Sequence, residues 1–165
     1  DSLLMANPLD TNVLWLKGLI YDRLKDRQKA VTTLLQLIAI DPQNSAALNY
    51  VGYTWAEKGV NLAKAESFIL RALKIEPNNP QYLDSLGWVN YQRGRYKRAV
   101  EELEKAHAQI PQEPTVMEHL GDAYRKLGRK SAALVLYQKA LATGEAEQPD
   151  ALRKKIEKLS PRPAR

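Results

Sequence analysis

The sequence predicts an all-α protein made of four consecutive helical hairpins. Glycine, alanine and proline each recur at steps of 34 or 35 residues, always in the same order. These three series are Gly18, Gly52, Gly87 and Gly121, then Ala30, Ala65, Ala99 and Ala133, then Pro8, Pro42, Pro77 and Pro111. A fixed period of this length is typical of repeat proteins, in which each unit buries its apolar face against its neighbours.

The clearest hairpin is residues 80–113, where apolar and small residues recur at intervals of three and four, as a helix requires. The first helix carries Leu83, Leu86 and Asn90 around Gly87, and the second carries Ala99, Leu103 and Ala106. Gly94 separates the two helices and Pro111 ends the second. This stretch therefore predicts two helices joined by a short turn.

The pattern Leu83-x2-Leu86-Gly87, Ala99-x3-Leu103 and Pro111 resembles the L-x2-L-G…A-x3-F…P signature of the tetratricopeptide repeat family. The resemblance covers residues 11–147. It implies a right-handed superhelical solenoid of helix-turn-helix repeats, with a concave wall lined mainly by the first helix of each repeat.

The N-terminal half is expected to hold the end of an earlier repeat and two full ones. Residues 1–10 are interpreted as a remnant of a preceding repeat, since Pro8 lies 34 residues before Pro42. Residues 11–44 form the first repeat, which has Lys25 where the others have glycine. Residues 45–79 form the second, with one extra residue in its turn.

The C-terminal half is expected to hold two more repeats and a cap. Residues 80–113 are the third repeat and residues 114–147 are the fourth, which ends on Gly144 instead of a proline. Residues 148–160 are predicted to form a capping helix, and residues 161–165 a disordered tail.

The resemblance also implies where a partner would bind. Positions three before, one after and four after the repeat glycine share one face of the first helix. With the flanking aromatic positions, the predicted groove residues are Trp15, Leu19, Asn49, Tyr50, Tyr53, Asp84, Trp88, Tyr91, His119 and Asp122. They suit an extended peptide or an amphipathic helix with a few large apolar anchors. The alternative is that Tyr53 and Trp88 only pad the gap between neighbouring first helices.

Motifs for chemistry are not found in the sequence. There is no cysteine, and His107 and His119 fall on different predicted helices with no acid at metal-ligand spacing. Phosphate-loop and dinucleotide fingerprints fail on their glycine spacing. We therefore expect no catalytic residue, no metal, no cofactor and no small-molecule substrate.

The predicted function is a non-enzymatic scaffold or adaptor that binds a protein partner. The segments ALNYVGYTWAEKG and YLDSLGWVNYQRGRY resemble bacterial members, including envelope lipoproteins, so a periplasmic or envelope setting is preferred over the cytoplasm. No apolar run is long enough to cross a bilayer. The formal charge of +6 leaves open the alternative of binding nucleic acid or an acidic partner through the basic C-terminal helix. A further alternative is a structural scaffold that self-associates through the solenoid ends.

Overall fold

The structure, a computed structural model, describes residues 10–160, and these residues form α-helices with no strand among them. The helices are α1 (Thr11–Arg23), α2 (Arg27–Ile40), α3 (Ser45–Glu57), α4 (Leu62–Ile75), α5 (Pro80–Gln92), α6 (Tyr96–Gln109), α7 (Pro114–Lys126), α8 (Lys130–Ala142) and α9 (Pro149–Leu159). The expected remnant, apart from Asp10, and the expected disordered tail lie outside the described residues.

The chain divides into two compact units, one ending at Pro77 and the other beginning at Asn78. Unit 1 contains the hairpins α1–α2 and α3–α4, with α2 packed against α3. Unit 2 contains the hairpins α5–α6 and α7–α8, with α6 packed against α7 and α8 against α9. In each unit, consecutive helices pack against one another, so every described hairpin gains its core from its neighbours.

The first helix of every hairpin begins at a residue whose side chain caps it. Asp10, Asn44, Asn79 and Glu113 each accept a hydrogen bond from a backbone N–H in the first turn. Such a bond satisfies a donor that the helix leaves unpaired. These caps fix the residue at which each first helix starts, and hence which of its positions face the neighbouring helix.

The repeat glycines allow the two helices of each hairpin to approach closely. A Cβ atom at Gly87 would lie 2.5 Å from Leu103 Cγ, and one at Gly121 would lie 2.5 Å from Tyr137 Cε1. At Gly18 it would lie 2.7 Å from the Leu34 side chain. Real Cβ atoms do not tolerate such contacts, so glycine sets the distance between the helices.

The turns inside the hairpins bend through a residue with positive φ. Gly94 and Gly128 fill this position in unit 2, with φ of 73° and 77°. In unit 1 the corresponding residue of the first hairpin is Lys25, with φ of 61°. The turn between α3 and α4 is one residue longer than the others and has Gly59 at φ 66°.

Each unit has its own core. In unit 1 the fully buried side chains include Leu34, Leu37, Leu48, Val51 and Ile69. In unit 2 the core combines residues of α6, α7 and α8 with Leu152 of α9, which is fully buried. Among residues 10–160, no helix is long and apolar enough to cross a membrane.

Candidate protein-binding faces

In unit 1, the predicted groove residues lie on one side of α1 and α3. Trp15 and Leu19 are one turn apart on α1, and Asn49 and Tyr53 are one turn apart on α3. We call these four residues the unit 1 face. Leu19 is 37% exposed, while the other three are half-buried. The unit 1 face thus presents large apolar surface that the unit itself leaves partly open.

A hydrogen bond holds the two helices of the unit 1 face together. The Tyr50 hydroxyl of α3 donates to Asp22 Oδ1 of α1 over 2.6 Å. Burial and then the Asp22 carboxylate raise the pKa of Tyr50, so the hydroxyl keeps its proton and remains a donor at neutral pH. Tyr50, predicted as a groove residue, therefore uses its polar group to join α1 to α3.

Asn49 has an unused acceptor. Its Oδ1 atom is buried and has no hydrogen-bond partner among residues 10–160. A buried polar atom without a partner is costly, by about 1–3 kcal/mol, so proteins rarely keep one without a reason. The Asn49 oxygen could accept a hydrogen bond from a group that docks beside it.

In unit 2, the predicted residues are engaged with one another. His119 Nδ1 of α7 donates to Asp84 Oδ1 of α5 over 2.9 Å, and both residues are buried. The Trp88 ring stacks on His119 at a centroid distance of 4.1 Å and on Tyr91 at 4.6 Å. We call Asp84, Trp88, Tyr91, His119 and Asp122 the unit 2 face. Its aromatic rings are part of the contact between α5 and α7.

The capping helix also contributes to the unit 2 face. Lys155 Nζ of α9 donates to Asp122 Oδ2 and to Glu118 Oε1 of α7, each over 2.7 Å. Asp122 accepts a second bond at Oδ1, from the Tyr137 hydroxyl of α8, over 2.6 Å. Three helices therefore converge on the Asp122 carboxylate, which is buried.

Electrostatics in the unit 2 face follow from these contacts. Burial opposes the charge of Lys155, but the carboxylates of Asp122 and Glu118 outweigh it and raise the pKa of the amine. The same balance holds for His119, where burial is outweighed by Asp84, Asp122 and Glu118 and the pKa of the imidazole is raised. Both groups are stabilised as cations by the carboxylates around them.

Sequence reasoning did not identify Lys155 and Tyr137 as part of this face. Tyr137 lies on a second helix, where the resemblance predicts no wall residues. Lys155 belongs to the predicted cap, but Leu152 follows Met117 by 35 residues, which is the repeat period. That spacing was the available signal that α9 packs on α8 as a further first helix would.

One polar atom of the unit 2 face has no partner. Trp88 Nε1 is buried and makes no hydrogen bond within residues 10–160. No group of three or more metal-ligating side chains occurs in that same range.

Comparison with known proteins places the chain in a family. A tetratricopeptide repeat family model matches residues 13–152. The chain belongs to the tetratricopeptide repeat family. TPR repeat-containing protein PA4667 of Pseudomonas aeruginosa is 35% identical over 115 residues, which is 70% of this chain and 19% of that protein. The chain thus spans less than a fifth of this relative.

Solved structures of other tetratricopeptide repeat proteins show the same fold. PilW, a type IV pilus biogenesis factor, matches 94% of this chain and 73% of its own, with a TM-score of 0.78 and 22% identity. TTC0263, a protein from Thermus thermophilus, matches 94% of this chain and 84% of its own, with a TM-score of 0.73 and 22% identity. The prediction of an all-α repeat solenoid is confirmed.

Membership of the tetratricopeptide repeat family indicates a general function. Proteins of this family are in general interaction scaffolds without enzymatic activity, and their partners are proteins. Which residues of this chain contact a partner stays a prediction. The geometry above distinguishes an open face in unit 1 from an internally bonded one in unit 2.

Proposed function

We propose that this tetratricopeptide repeat chain is a scaffold that binds an extended segment or an amphipathic helix of a partner protein on the unit 1 face. The observation that carries this proposal is the buried, unpartnered Oδ1 of Asn49 beside half-buried aromatic side chains. A change of the Asn49 rotamer on binding would expose Oδ1, to which a partner segment would donate a backbone or side-chain N–H. Its apolar side chains would cover Trp15, Leu19 and Tyr53.

Energetics favour this arrangement. Covering large aromatic and aliphatic side chains supplies most of the binding free energy of a typical interface. A hydrogen bond to a buried acceptor adds specificity, because a segment without a donor leaves that acceptor unpaired. The unit 2 face plays a supporting role in this proposal, since its carboxylates already bind Lys155 and His119.

The cellular setting proposed is a bacterial envelope complex. The relative from Pseudomonas aeruginosa and the similarity to a type IV pilus biogenesis factor support a bacterial setting. The envelope itself rests on the resemblance of two segments to envelope lipoproteins.

The capping helix is a weaker site for nucleic acid or an acidic partner. Lys155 is bound to two carboxylates, and Arg153 pairs with Asp150 over 2.6 Å. Only Lys154 and Lys158 remain as exposed, unpaired cations on α9. Self-association through the solenoid ends remains a prediction that light scattering across a dilution series would test.

A peptide selection tests the proposed function. Peptides selected from a random displayed library against the chain would be titrated against the parent protein and the Leu19→Asp variant. We expect a loss of at least about tenfold in affinity, since a carboxylate would be desolvated in an apolar contact. Leu70→Asp is the matched control, because Leu70 is 49% exposed on α4, outside the unit 1 face. Equal affinities of the two variants would contradict the proposal.

A further inference from the structure

Two turns of unit 2 concentrate positive charge. The segments RGRYKR (93–98) and RKLGRK (125–130) contain four cations each and no acidic residue. The first lies between α5 and α6, and the second between α7 and α8. Lys126 Nζ of the second turn lies 5.6 Å from the centre of the Tyr96 ring beside the first, so the two turns are neighbours.

Six cations of these turns are exposed. Arg125 interacts with Tyr137 and Asp122. We call the other five the tip patch: Lys97, Arg98, Lys126, Arg129 and Lys130. None of the five forms an ion pair with a carboxylate within residues 10–160. The acids of α6 are Glu101, Glu102 and Glu104. Glu102 pairs with Lys105, and Glu104 accepts a hydrogen bond from Tyr124. The tip patch therefore keeps its charge facing solvent.

The tip patch is a basic end of unit 2. The turns that carry it contain no acidic residue, and neither α6 nor α8 has an acidic residue in its first turn. The opposite ends of the hairpins carry both signs of charge, with Glu113, Glu145 and Glu147 as well as Lys105 and Lys139. A local concentration of positive charge of this kind attracts a negatively charged partner.

The tip patch has no apolar centre of its own. Protein–protein interfaces depend on desolvated apolar or aromatic anchors and are poor in lysine. The two rings at this site are covered by the patch's own cations, Tyr96 by Lys126 and Tyr124 by Arg129 at 5.5 Å. Single-stranded nucleic acid needs bare rings on which bases stack, and these rings are occupied. A partner that binds through diffuse negative charge alone fits better.

We propose that the tip patch docks unit 2 on the surface of an anionic lipid bilayer. Two neighbouring turns can both contact a flat bilayer surface. The curved surface of a nucleic-acid duplex would contact two convex turns over a smaller area. The tips carry no large exposed apolar side chain that could insert, because Leu127 is half-buried. The contact is peripheral and electrostatic, independent of the unit 1 face.

The expected change in vesicle binding follows from the electrostatic attraction between each cation and the membrane. Each Lys or Arg near an anionic membrane surface strengthens binding by about fivefold, and the effect falls off within a Debye length. Reversal of two cations should therefore weaken binding at least about 25-fold. Binding should also fall steeply as salt is added.

The test is co-sedimentation of the chain with vesicles. The probes are vesicles of phosphatidylcholine with about one third phosphatidylglycerol, and vesicles of pure phosphatidylcholine, chosen so that only the first attracts cations. The variant is Lys97→Glu with Lys130→Glu. Both residues lie in the first turn of a helix, where glutamate is favourable, so the variant should fold. We expect binding to the anionic vesicles only, and its loss in this variant.

A charge-matched control uses the same two helices. Lys105→Glu with Lys139→Glu makes an equal change of net charge near the other ends of α6 and α8. It should retain vesicle binding, and circular dichroism melts would verify that both variants fold. The proposal is overturned if the parent does not bind anionic vesicles, or if both variants lose binding equally. It is also overturned if duplex DNA binds more tightly than the vesicles and displaces them.

Discussion

The two units use the same repeat positions differently. In unit 2 the first-helix side chains bond to one another, with His119 on Asp84 and Lys155 between Asp122 and Glu118. In unit 1 the first helices share such a bond, from Tyr50 to Asp22, and Leu19 is left exposed. Each face also keeps a buried polar atom without a partner within residues 10–160, Asn49 Oδ1 in unit 1 and Trp88 Nε1 in unit 2. A repeat position therefore indicates which way a side chain points. Whether that side chain serves the fold or a partner depends on its neighbours.

Tyr53 and Trp88 are equivalent residues, each one position after the repeat glycine. Their replacement by alanine should give the largest difference between the two units, in stability for one variant and in binding for the other. Trp88→Ala should lower the free energy of unfolding by about 3 kcal/mol, because the ring stacks on His119 and Tyr91 and large aromatic truncations in packed sites cost this much. Tyr53→Ala should instead weaken binding of a selected peptide by about 2 kcal/mol. Denaturant unfolding and titration on both variants measure the two effects.

Two outcomes would erase this contrast between Tyr53 and Trp88. If Tyr53→Ala destabilises the protein as much as Trp88→Ala, both side chains are padding between helices. If Trp88→Ala leaves the melt unchanged and abolishes binding, the unit 2 face is the binding face.

The next largest effect concerns the cation that α9 brings to the unit 2 face. Lys155→Met should lower the free energy of unfolding by about 2 kcal/mol, because Asp122 and Glu118 lose a shared partner. This expected loss is smaller than the loss for a fully buried ion pair, because the Lys155 side chain is 27% exposed. Arg153→Met on the same helix is the control. Its pair with Asp150 is exposed, so the change should be small.

Equal loss of stability in the Lys155 and Arg153 variants would show that the bond between α9 and α7 is not structural. In that case the Lys155 amine would be available to a partner, and unit 2 would resemble unit 1.

The sequence was sufficient to predict the fold because the signals that set it are local. Gly87 and Gly121 mark close helix contacts, and Gly94 and Pro111 mark the turn and the end of a hairpin. The candidate site could be predicted only in part, since the glycine spacing gives the direction of a side chain. The contact of Lys155 with Asp122 depends on how α9 packs, which no local pattern specifies.

The His119–Asp84 pair of unit 2 should make the free energy of unfolding depend on pH. The pKa of His119 is raised by folding, so the stability it contributes is complete below its unfolded pKa, about 6.5. That contribution is lost as pH rises through the higher folded value. We expect the free energy of unfolding to fall as pH rises above about 6.5, and His119→Gln to remove this part of the slope.

His107 provides the control of opposite sign. Burial, and then Lys139, lowers the pKa of His107, so its contribution is present above the unfolded value and lost as pH falls through the folded one. His107→Gln should therefore flatten the curve on the acid side and leave the alkaline side unchanged. An alkaline slope that survives in His119→Gln would mean that the imidazole is not held as a cation by Asp84.

The smallest effect tests the turn between α1 and α2, where unit 1 has a lysine in place of the glycine of unit 2. Lys25 has a φ of 61°, a conformation that costs a residue with a side chain about 1–2 kcal/mol. Replacement by glycine would remove this cost, but glycine also has more conformational freedom in the unfolded chain, which offsets part of the stabilisation. Lys25→Gly should therefore raise the free energy of unfolding by about 0.5 kcal/mol. Gly94→Lys is the reverse change in unit 2, where a Cβ atom would meet nothing within 4 Å, so its cost is that of the backbone alone. Denaturant unfolding of both variants should give changes of opposite sign. A fall in stability for Lys25→Gly would mean that the lysine side chain itself supports the turn, and that unit 1 departs from the repeat pattern for a structural reason.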